Sequence, residues 1–546
     1  MRAYACHVVE IRKLLVANRG EIALRVFRAC RALGIATVAV VAPDDKGSLH
    51  ARAADETVVI QSYLFSEEHI RAAKQTGADA IHPGYGFLAE NPEFAEAVNA
   101  ARLVFVGPTP EALRAGGDKL EAKRIAQEAG VPVVEAGEPH ELGFPLLLKA
   151  ATGGGGRGMR AVRSADELDD ALAAARREAK AAFGDDRVFA ERYIERPRHV
   201  EIQLLGDEHG NVVALGEREC SIQRRHQKVL EESPSPALDP PLRQAMSDAA
   251  VRFARAIRYS SAGTAEFMLA GREFFFLELN GRIQVEHPVT ELVTGVDLVQ
   301  EQLRIAQGGR VEVRGSEPQG HAVEVRLYAE DPRTFFPQSG RITKLVLPDG
   351  IRVDSGVAEG DDVALAYDPL LAKLIAHDVT REDALDKLDD ALAETVVEGV
   401  TTNLPFLRWL VAHPDVRAGR TTTAFLVEQP PLSAPPLRIA DEPWHGAWRL
   451  NLAPPPPAPP PDVDATAHDA TAMHGEADVT APMPGTVIKV LVQPGERVRA
   501  RQPLLVLEAM KMETPLTAPY DAVVRKVNVG EGDRVAGGAV LVELED

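Results

Sequence analysis

Residues 13–42 read KLLVANRGEIALRVFRACRALGIATVAVVA, and this stretch decides the fold. KLLVAN (13–18) is a short apolar run, as a strand buried on both faces requires. EIALRVFRACRALG (21–34) then sets Ile22, Val26, Cys30 and Leu33 at helical spacing, which makes one apolar stripe. IATVAVVA (35–42) is the next strand. Strand, helix, strand predicts a parallel sheet in an α/β unit. The turn Asn18-Arg19-Gly20 holds a single glycine, where a dinucleotide site needs G-x-G-x-x-G. A nicotinamide-dependent enzyme is therefore disfavoured.

The chain around this stretch has 546 residues, enough for three or four folding units of about 150 residues. Apolar residues make up 45% and charged residues 26%, which supports a large core and excludes wholesale disorder. The net charge of −20 repels phosphate backbones, so nucleic acid is not an expected partner. An anionic substrate needs a local basic pocket instead. Cys6, Cys30 and Cys220 are odd in number and far apart, which excludes a disulfide framework or a cysteine zinc site and suits a reducing cytosol. No apolar run approaches the ~20 residues of a membrane span. MRAYACHVVE (1–10) lacks the apolar core of a signal peptide. The expected location is cytoplasmic, with no membrane partner.

Composition breaks at PPPPAPPP (454–461) and the polar DVDATAHDATAMHGEAD that follows. Extended polyproline and a loose polar tail predict a linker over 448–478, either a spacer or a swinging arm. Beyond it the sequence repeats itself. GTVIKVLVQPGERV (485–498) aligns with AVVRKVNVGEGDRV (522–535), and LLVLE (504–508) aligns with LVELE (541–545), at one offset of 37 residues. Short strands with glycine turns, given twice, predict a flattened all-β sandwich with a quasi-dyad. The element joining the halves contains Glu508-Ala509-Met510-Lys511-Met512-Glu513. A lysine on a turn is ordinary; between repeats, flanked by exposed methionines and tethered, it reads as a carrier.

Several motifs in the larger unit carry chemistry. GGGGRGM (153–159) follows the strand PLLLKAAT (145–152), with Lys149 just before it and Lys119 in GGDKLEAKR. Two lysines with a glycine lid can neutralise nucleotide phosphates, although the Gly-Lys-Ser/Thr ending of a P-loop is missing. TAEFML (264–269) and FFFLELN (274–280) predict a hairpin that sets Glu278 and Asn280 on one face, with Glu266 alongside. Two carboxylates and an amide oxygen form a hard, Mg²⁺-like donor set. In GRIQVEHPVTE (281–291), Arg282, Gln284 and Glu286 alternate and are expected to project to one side, a pocket for a small oxyanion with a base. SIQRRHQKVLEE (221–232) adds a basic cluster of Arg224, Arg225, His226 and Lys228.

These pieces resemble the biotin carboxylase family of ATP-grasp enzymes over residues 11–447. The motifs are VANRGEIALRVFRAC, IHPGYGFLAENPEF, KAATGGGGRGMR, RHVEIQ, RRHQKV, NGRIQVEHPVTE and HAVEVRLYAEDP. The small unit, with AMKM and APMPG (481–485), resembles the biotinyl (biotin carboxyl carrier) domain; lipoyl domains usually carry D-K-A at the turn. The resemblance implies an N-terminal α/β subdomain (11–120), an ATP-grasp domain with a glycine lid (121–330), a C-terminal subdomain (331–447) and the biotinyl domain (479–546).

It also implies residue roles. Lys511 would carry biotin in amide linkage. Lys119 and Lys149 would meet ATP phosphates, with Gly155, Gly156 and Met159 in the lid. Glu191 and Ile194 belong to the segment that holds adenine. His199 and Glu201 lie along the nucleotide pocket, and Gln223, His226 and Gln227 near the ribose and phosphates. Glu266, Glu278 and Asn280 would hold Mg²⁺ or Mn²⁺. Lys228, Arg282, Gln284, Val285 and Glu286 would form the bicarbonate site, Val285 through its backbone. Glu286 would deprotonate bicarbonate, and Arg326 would steady the biotin enolate.

The implied activity is ATP- and bicarbonate-dependent carboxylation of biotin, in the alpha subunit of an acetyl- or propionyl-CoA carboxylase with a place in fatty acid biosynthesis. The implied partners are a separate carboxyltransferase beta subunit, a biotin protein ligase and further copies of the carboxylase unit. Two departures stand out, Thr152 in the lid and Gly281 where Thr or Pro is commoner. The docking domain of such alpha chains is missing between the units. The carboxylase subunit of a two-chain pyruvate carboxylase, or a non-catalytic biotin-bearing scaffold, are the alternatives.

Overall fold

The computed structural model describes residues 9–150, 160–183, 186–224, 227–313, 318–432, 479–481, 485–499, 502–509, 512–535 and 539–545. The opening stretch forms β1 (Lys13–Val16), a helix Gly20–Ala32 and β2 (Ala36–Val41). With β3 (Glu56–Val59), β4 (Ala80–His82) and β5 (Val104–Phe105) these make a parallel sheet in the order β3-β2-β1-β4-β5. Leu14, Leu15 and Val16 are fully buried, as strands covered on both faces require. Ile22, Val26 and Cys30 face the core as their spacing predicts. Leu33 does not: the helix ends at Ala32, Gly34 turns the chain with a φ of +71°, and Leu33 is left 44% exposed. The amide of Asn18 donates to the carbonyls of Pro83 and Tyr85 at 2.8 and 2.7 Å, which ties the first turn to the loop after β4.

A second, antiparallel sheet contains β6 (Ala136–Gly137), β7 (Leu146–Ala150), β8 (Arg160–Val162) and β9 (Val188–Arg192). The helix Leu168–Phe183 covers it, with Leu146, Leu148, Val162 and Leu168 as its core. The glycine run between β7 and β8, with Thr152, Gly155, Gly156 and Met159, lies outside the described residues.

The largest layer has eight antiparallel strands in the order β14-β13-β10-β11-β12-β15-β20-β18. These are β10 (Arg198–Gly206), β11 (Val212–Arg224), β12 (Gln227–Ser233), β13 (Ser261–Ala270), β14 (Glu273–Asn280), β15 (His321–Tyr328), β18 (Arg352–Ser355) and β20 (Leu370–Asp378). Short pairs flank it: β16 (Gly340–Arg341) with β19 (Asp362–Val363), and β17 (Lys344–Val346) with β21 (Val396–Glu398). Alternation along the strands sorts the side chains of β10 and β13. Val200, Ile202, Leu204, Ala265 and Phe267 pack under the helix Pro240–Ala256. Their neighbours His199, Glu201, Gln203, Thr264 and Glu266 turn to the other face, where they are buried as well.

The repeat folds as expected. β22 (Val479–Thr480), β29 (Val540–Glu545), β27 (Ala522–Val527) and β24 (Arg497–Val498) make one sheet of the small unit. β26 (Met512–Thr517), β25 (Pro503–Ala509), β23 (Gly485–Val490) and β28 (Arg534–Val535) make the other. Each repeat lends one short strand to the other's sheet, β24 to β27 and β28 to β23, which is what a quasi-dyad demands. β25 and β26 pair up to Ala509 and Met512; Lys511 and Met510 lie outside the described residues, as do residues 433–478 with the proline-rich stretch. Phe336 and Leu365 of the larger unit pack against the apolar core of the small one.

The apolar side of the large sheet is held by Phe276, whose ring centroid lies 4.4 Å from Phe253 and 5.9 Å from Phe267. Phe276→Ala should destabilise the larger unit by about 3–5 kcal/mol, read as a lowered urea midpoint with unchanged slope.

Candidate active site

The polar face of the eight-stranded sheet gathers charge that has nowhere else to go. Lys228, on β12, keeps only 11% of its side chain exposed, and its ammonium donates to Glu266 at 2.8 Å, to Glu286 at 2.7 Å and to Glu201. Burial opposes the charge on Lys228, yet Glu201, Glu266 and Glu286 outweigh it and hold the amine well above its ordinary range. Burial likewise opposes the Glu286 carboxylate; Lys228, then Arg326 and Arg218, hold it well below the ordinary 4.5. Arg326, on β15, bridges Glu286 at 3.0 Å and Glu231 at 2.6 Å. Arg218 is fully buried and uses its guanidinium completely, donating to Glu201, Gln203, Thr264, Gln284 and Thr290.

The segment 281–286 corrects one expectation. It is not an extended strand: Glu286 sits in a turn at the N-cap of the helix His287–Thr294, with φ −82° and ψ 9°. Strict alternation of Arg282, Gln284 and Glu286 is therefore lost, and each is aimed by its own partners. Gln284 donates to Glu266 at 2.9 Å and accepts from Arg218 at 3.0 Å. Arg282 donates to Asn280 at 2.8 Å and pairs with Glu90 at 3.0 Å. The carbonyl of Val285 accepts from the fully buried Lys373 at 2.8 Å. Gly281 fits its place because the Leu113 side chain comes within 2.8 Å of where a Cβ would stand.

Glu266 and Glu278 lie directly opposite each other on β13 and β14. Burial, then Glu266 beside it, raises the Glu278 carboxyl, and its cation partner among the described residues is Lys119 at 3.9 Å. Glu266 already accepts from Lys228, but Glu278 is weakly countered, and the two carboxylates face to face suit a divalent cation. The Asn280 oxygen is already engaged by Arg282, and its amide nitrogen donates to Glu266 at 2.8 Å. His199 lies 3.1 Å from Glu266, which with Glu201 brings three possible donors within 4.8 Å, but Glu201 is held by Arg218 and Lys228.

Lys149 pairs with the buried Glu191 at 2.6 Å, and Lys123 meets the same carboxylate. Burial lowers Lys149 to about 8 and Lys123 to about 7, with neighbouring lysines adding to the effect. Glu191 is thus committed to lysines through its side chain, while Ile194 is half-buried in the following segment. Gln223 donates to the Cys220 carbonyl at 2.8 Å, and Gln227 lies between Arg224 at 2.6 Å and the Tyr328 hydroxyl at 3.4 Å. Arg224 turns away from Lys228 and pairs with Glu330 over the Phe335 ring, so the predicted basic cluster is divided; Arg225 and His226 lie outside the described residues. Sequence reasoning missed Lys123, Arg218, Glu231, Glu90 and Lys373. Only Lys123 left a signal, one helical turn after Lys119.

The site thus lies on the polar face of an antiparallel sheet that follows a parallel α/β domain, and comparison with known proteins identifies this arrangement. Residues 10–113 match the biotin carboxylase N-terminal domain, 114–314 the carbamoyl-phosphate synthase L chain ATP-binding domain, 324–428 the biotin carboxylase C-terminal domain, and 477–544 the biotin-requiring enzyme domain. Biotin carboxylase from Haemophilus influenzae is 46% identical over 76% of this chain and 98% of its own length. The propionyl-CoA carboxylase alpha chain of Ruegeria pomeroyi is 46% identical over 77% of this chain and 68% of its own. The biotin carboxylase domain of Hydrogenobacter thermophilus 2-oxoglutarate carboxylase, solved with MgADP, ADP and bicarbonate, superposes with a TM-score of 0.75 at 42% identity, covering 77% of this chain and 98% of that one. The chain belongs to the biotin carboxylase family, and joins a biotin carboxylase to a biotin carrier domain. Among the described residues no helix is long and apolar enough to cross a membrane.

Lys228→Met would leave Glu201, Glu266 and Glu286 buried without their shared cation. Glu266 and Glu286 have lowered folded-state pKa values, so the stability they add is present above 4.5 and is lost as pH falls. The variant should therefore lose about 3–5 kcal/mol at neutral pH, and the gap to the parent should close on acidification, as urea unfolding across pH would record.

Proposed function

We propose that the chain converts ATP, bicarbonate and biotinyl-Lys511 to ADP, phosphate and carboxybiotinyl-Lys511. The observation that carries this reading is Glu286 braced between Lys228 and Arg326, a carboxylate kept ionised in a buried, cationic pocket. Glu286 takes the bicarbonate proton, and the freed oxygen attacks the γ-phosphorus as ADP leaves. Lys119, Lys149 and Lys123 balance the phosphate charge, while Lys228, Arg282, Gln284 and the Val285 backbone hold bicarbonate. Glu266, Glu278 and Asn280 would hold Mg²⁺ or Mn²⁺, which supplies charge neutralisation at the phosphates. Carboxyphosphate falls apart to CO₂ and phosphate. Phosphate removes the N1 proton of biotin, Arg326 supports the oxyanion, and N1 takes up CO₂. Gly155, Gly156 and Met159 are assigned to the covering lid. Ile194 and the Glu191 backbone are assigned to adenine, and His199, Glu201, Gln223, His226 and Gln227 to the nucleotide's polar edge.

The carboxyl group then passes to a separate carboxyltransferase subunit, with acetyl- or propionyl-CoA as acceptor. The alpha-chain relative from Ruegeria pomeroyi supports this choice. The packing of Phe336 and Leu365 on the small unit supports carboxylation of the chain's own carrier. Leu365 precedes by three residues Asp368, whose carboxyl is raised by burial and pulled down by Arg326 among others.

Glu286→Gln should reduce bicarbonate-dependent ATP cleavage by at least about a hundredfold. Lys511→Arg should abolish streptavidin binding of protein coexpressed with a biotin ligase. Phe336→Asp should leave carboxylation of free biotin intact and slow loading of the attached carrier, measured with labelled bicarbonate. Unchanged ATP cleavage in Glu286→Gln would favour a non-catalytic scaffold.

A further inference from the structure

Glu324 lies in the middle of the eight-stranded sheet, and none of the steps above gives it a task. Its partners in register are Glu231 on β12 and Ile375 on β20. Glu231 and Glu324 are both fully buried. Neither oxygen of Glu324, nor Oε2 of Glu231, has a hydrogen-bond partner among the described residues. The remaining oxygen of Glu231 accepts from Arg326, whose guanidinium also donates to Glu286. Side by side, with Arg326 the one donor to the pair and none for Glu324 among the described residues, two buried carboxylates cannot both stay ionised, because desolvation and mutual repulsion act together.

Among the described residues the cations around Glu324 are already engaged. Arg326 is two residues along β15 on the same face and is taken by Glu231 and Glu286. Lys373 on β20 stands in register with Arg326, but it donates to the Val285 carbonyl and pairs with Glu21 at 3.2 Å, with Asp354 of β18 at 3.8 Å. From the helix His287–Thr294, packed on β12, β15 and β20, come Glu286 at its cap and His287, which burial keeps neutral. One proton is therefore missing from this face.

Resting on the proposed function, we propose that Glu324 is a positioning residue: it carries a proton at neutral pH, donates it in a hydrogen bond to Glu231, and so fixes the Arg326 guanidinium toward Glu286 and the biotin oxyanion. The shared proton leaves the pair with a single negative charge, which Arg326 balances while Lys228 balances Glu286. Ionising Glu324 would add a second charge beside the guanidinium and draw it away from the reacting groups. The titration supports this. Burial pushes the Glu324 carboxyl well above its ordinary range against the pull of Lys373, Glu231 adds repulsion, and Glu231 itself is raised by burial to about 7.

The test uses the full biotinylated chain and two variants. Glu324→Gln keeps a neutral donor of the same shape; Glu324→Leu removes it. The parent should lose rate on the alkaline side as Glu324 ionises; Glu324→Gln should keep kcat for biotin- and bicarbonate-dependent ATP cleavage within about twofold and lack that fall. Glu324→Leu should lower kcat about tenfold with KM for ATP unchanged. Independently of activity, infrared difference spectra at pH 7 should show a protonated carboxylic acid band, shifted in D₂O, that both variants lack and Glu286→Gln retains. No such band in the parent, or a glutamine variant as slow as the leucine variant with the parent's pH profile, overturns the proposal. Inactivity of every form with the band present would instead sink the proposed function and leave the buried proton standing.

Discussion

The ammonium of Lys228, shared by three buried carboxylates, is the interaction on which the rest of the structure depends. Isolated charges at this depth would be neutralised or expelled. Here most are kept because sheet register sets them beside one another, where Lys228, Arg218 and Arg326 can reach the carboxylates. Glu201 on β10 faces Arg218 on β11, Glu266 on β13 faces Glu201, and Arg326 on β15 stands beside Lys373 on β20. The apolar face of β10 and β13 exists to hold those registers, and a one-residue slip would turn the charges into the Phe253–Phe276 core. Networks of this kind add little to stability over a well-packed apolar core. They are better read as a preorganised field, set before ATP and bicarbonate arrive.

The parts of this that the sequence discloses are those in which chemistry and local order coincide. Glu278 and Asn280 sit two apart on one strand, and the hairpin to Glu266 is short, so their meeting follows from alternation alone. The β-α-β opening and the two-fold repeat are legible for the same reason. Arg218 and Lys373 were silent because a lone cation in an apolar or mixed strand says nothing of its partners; five acceptors for Arg218 come from β10, β13 and the 284–290 segment, which only the fold brings together. Arg224 misled for the converse reason. It is four residues from Lys228 in the chain, but Lys228 stands in register with Gln223 and Arg224 with Gln227, so alternation carries Arg224 to the other side and to Glu330. The alternation expected at Arg282, Gln284 and Glu286 failed because a helix begins at His287 and its cap bends the backbone.

The two units meet where an adjacent aromatic pair points both ways. Phe335 has a φ of +60°, an unusual conformation for a side chain of this size, and packs its ring inward against Phe406 and under Arg224. Phe336 is then presented to the carrier's core. A backbone held in that region reflects a constraint from its surroundings, and the inward ring supplies it. Where the proposed loading stays within one chain, the local concentration of acceptor is independent of protein concentration.

A base held as far below its ordinary range as Glu286 is a weak one while both its cations stay in place. Its strength must therefore rise when those cations are drawn elsewhere. Lys228 and Arg326 are the groups that the proposed mechanism turns toward bicarbonate and the biotin oxyanion, so the arrival of substrate loosens the hold on Glu286 as the proton is needed. The same argument makes the charge on Arg326 the quantity to be controlled. A guanidinium shared between Glu286 and a singly charged Glu231–Glu324 pair can be lent to the oxyanion and returned, whereas one locked to a doubly charged pair could not leave it.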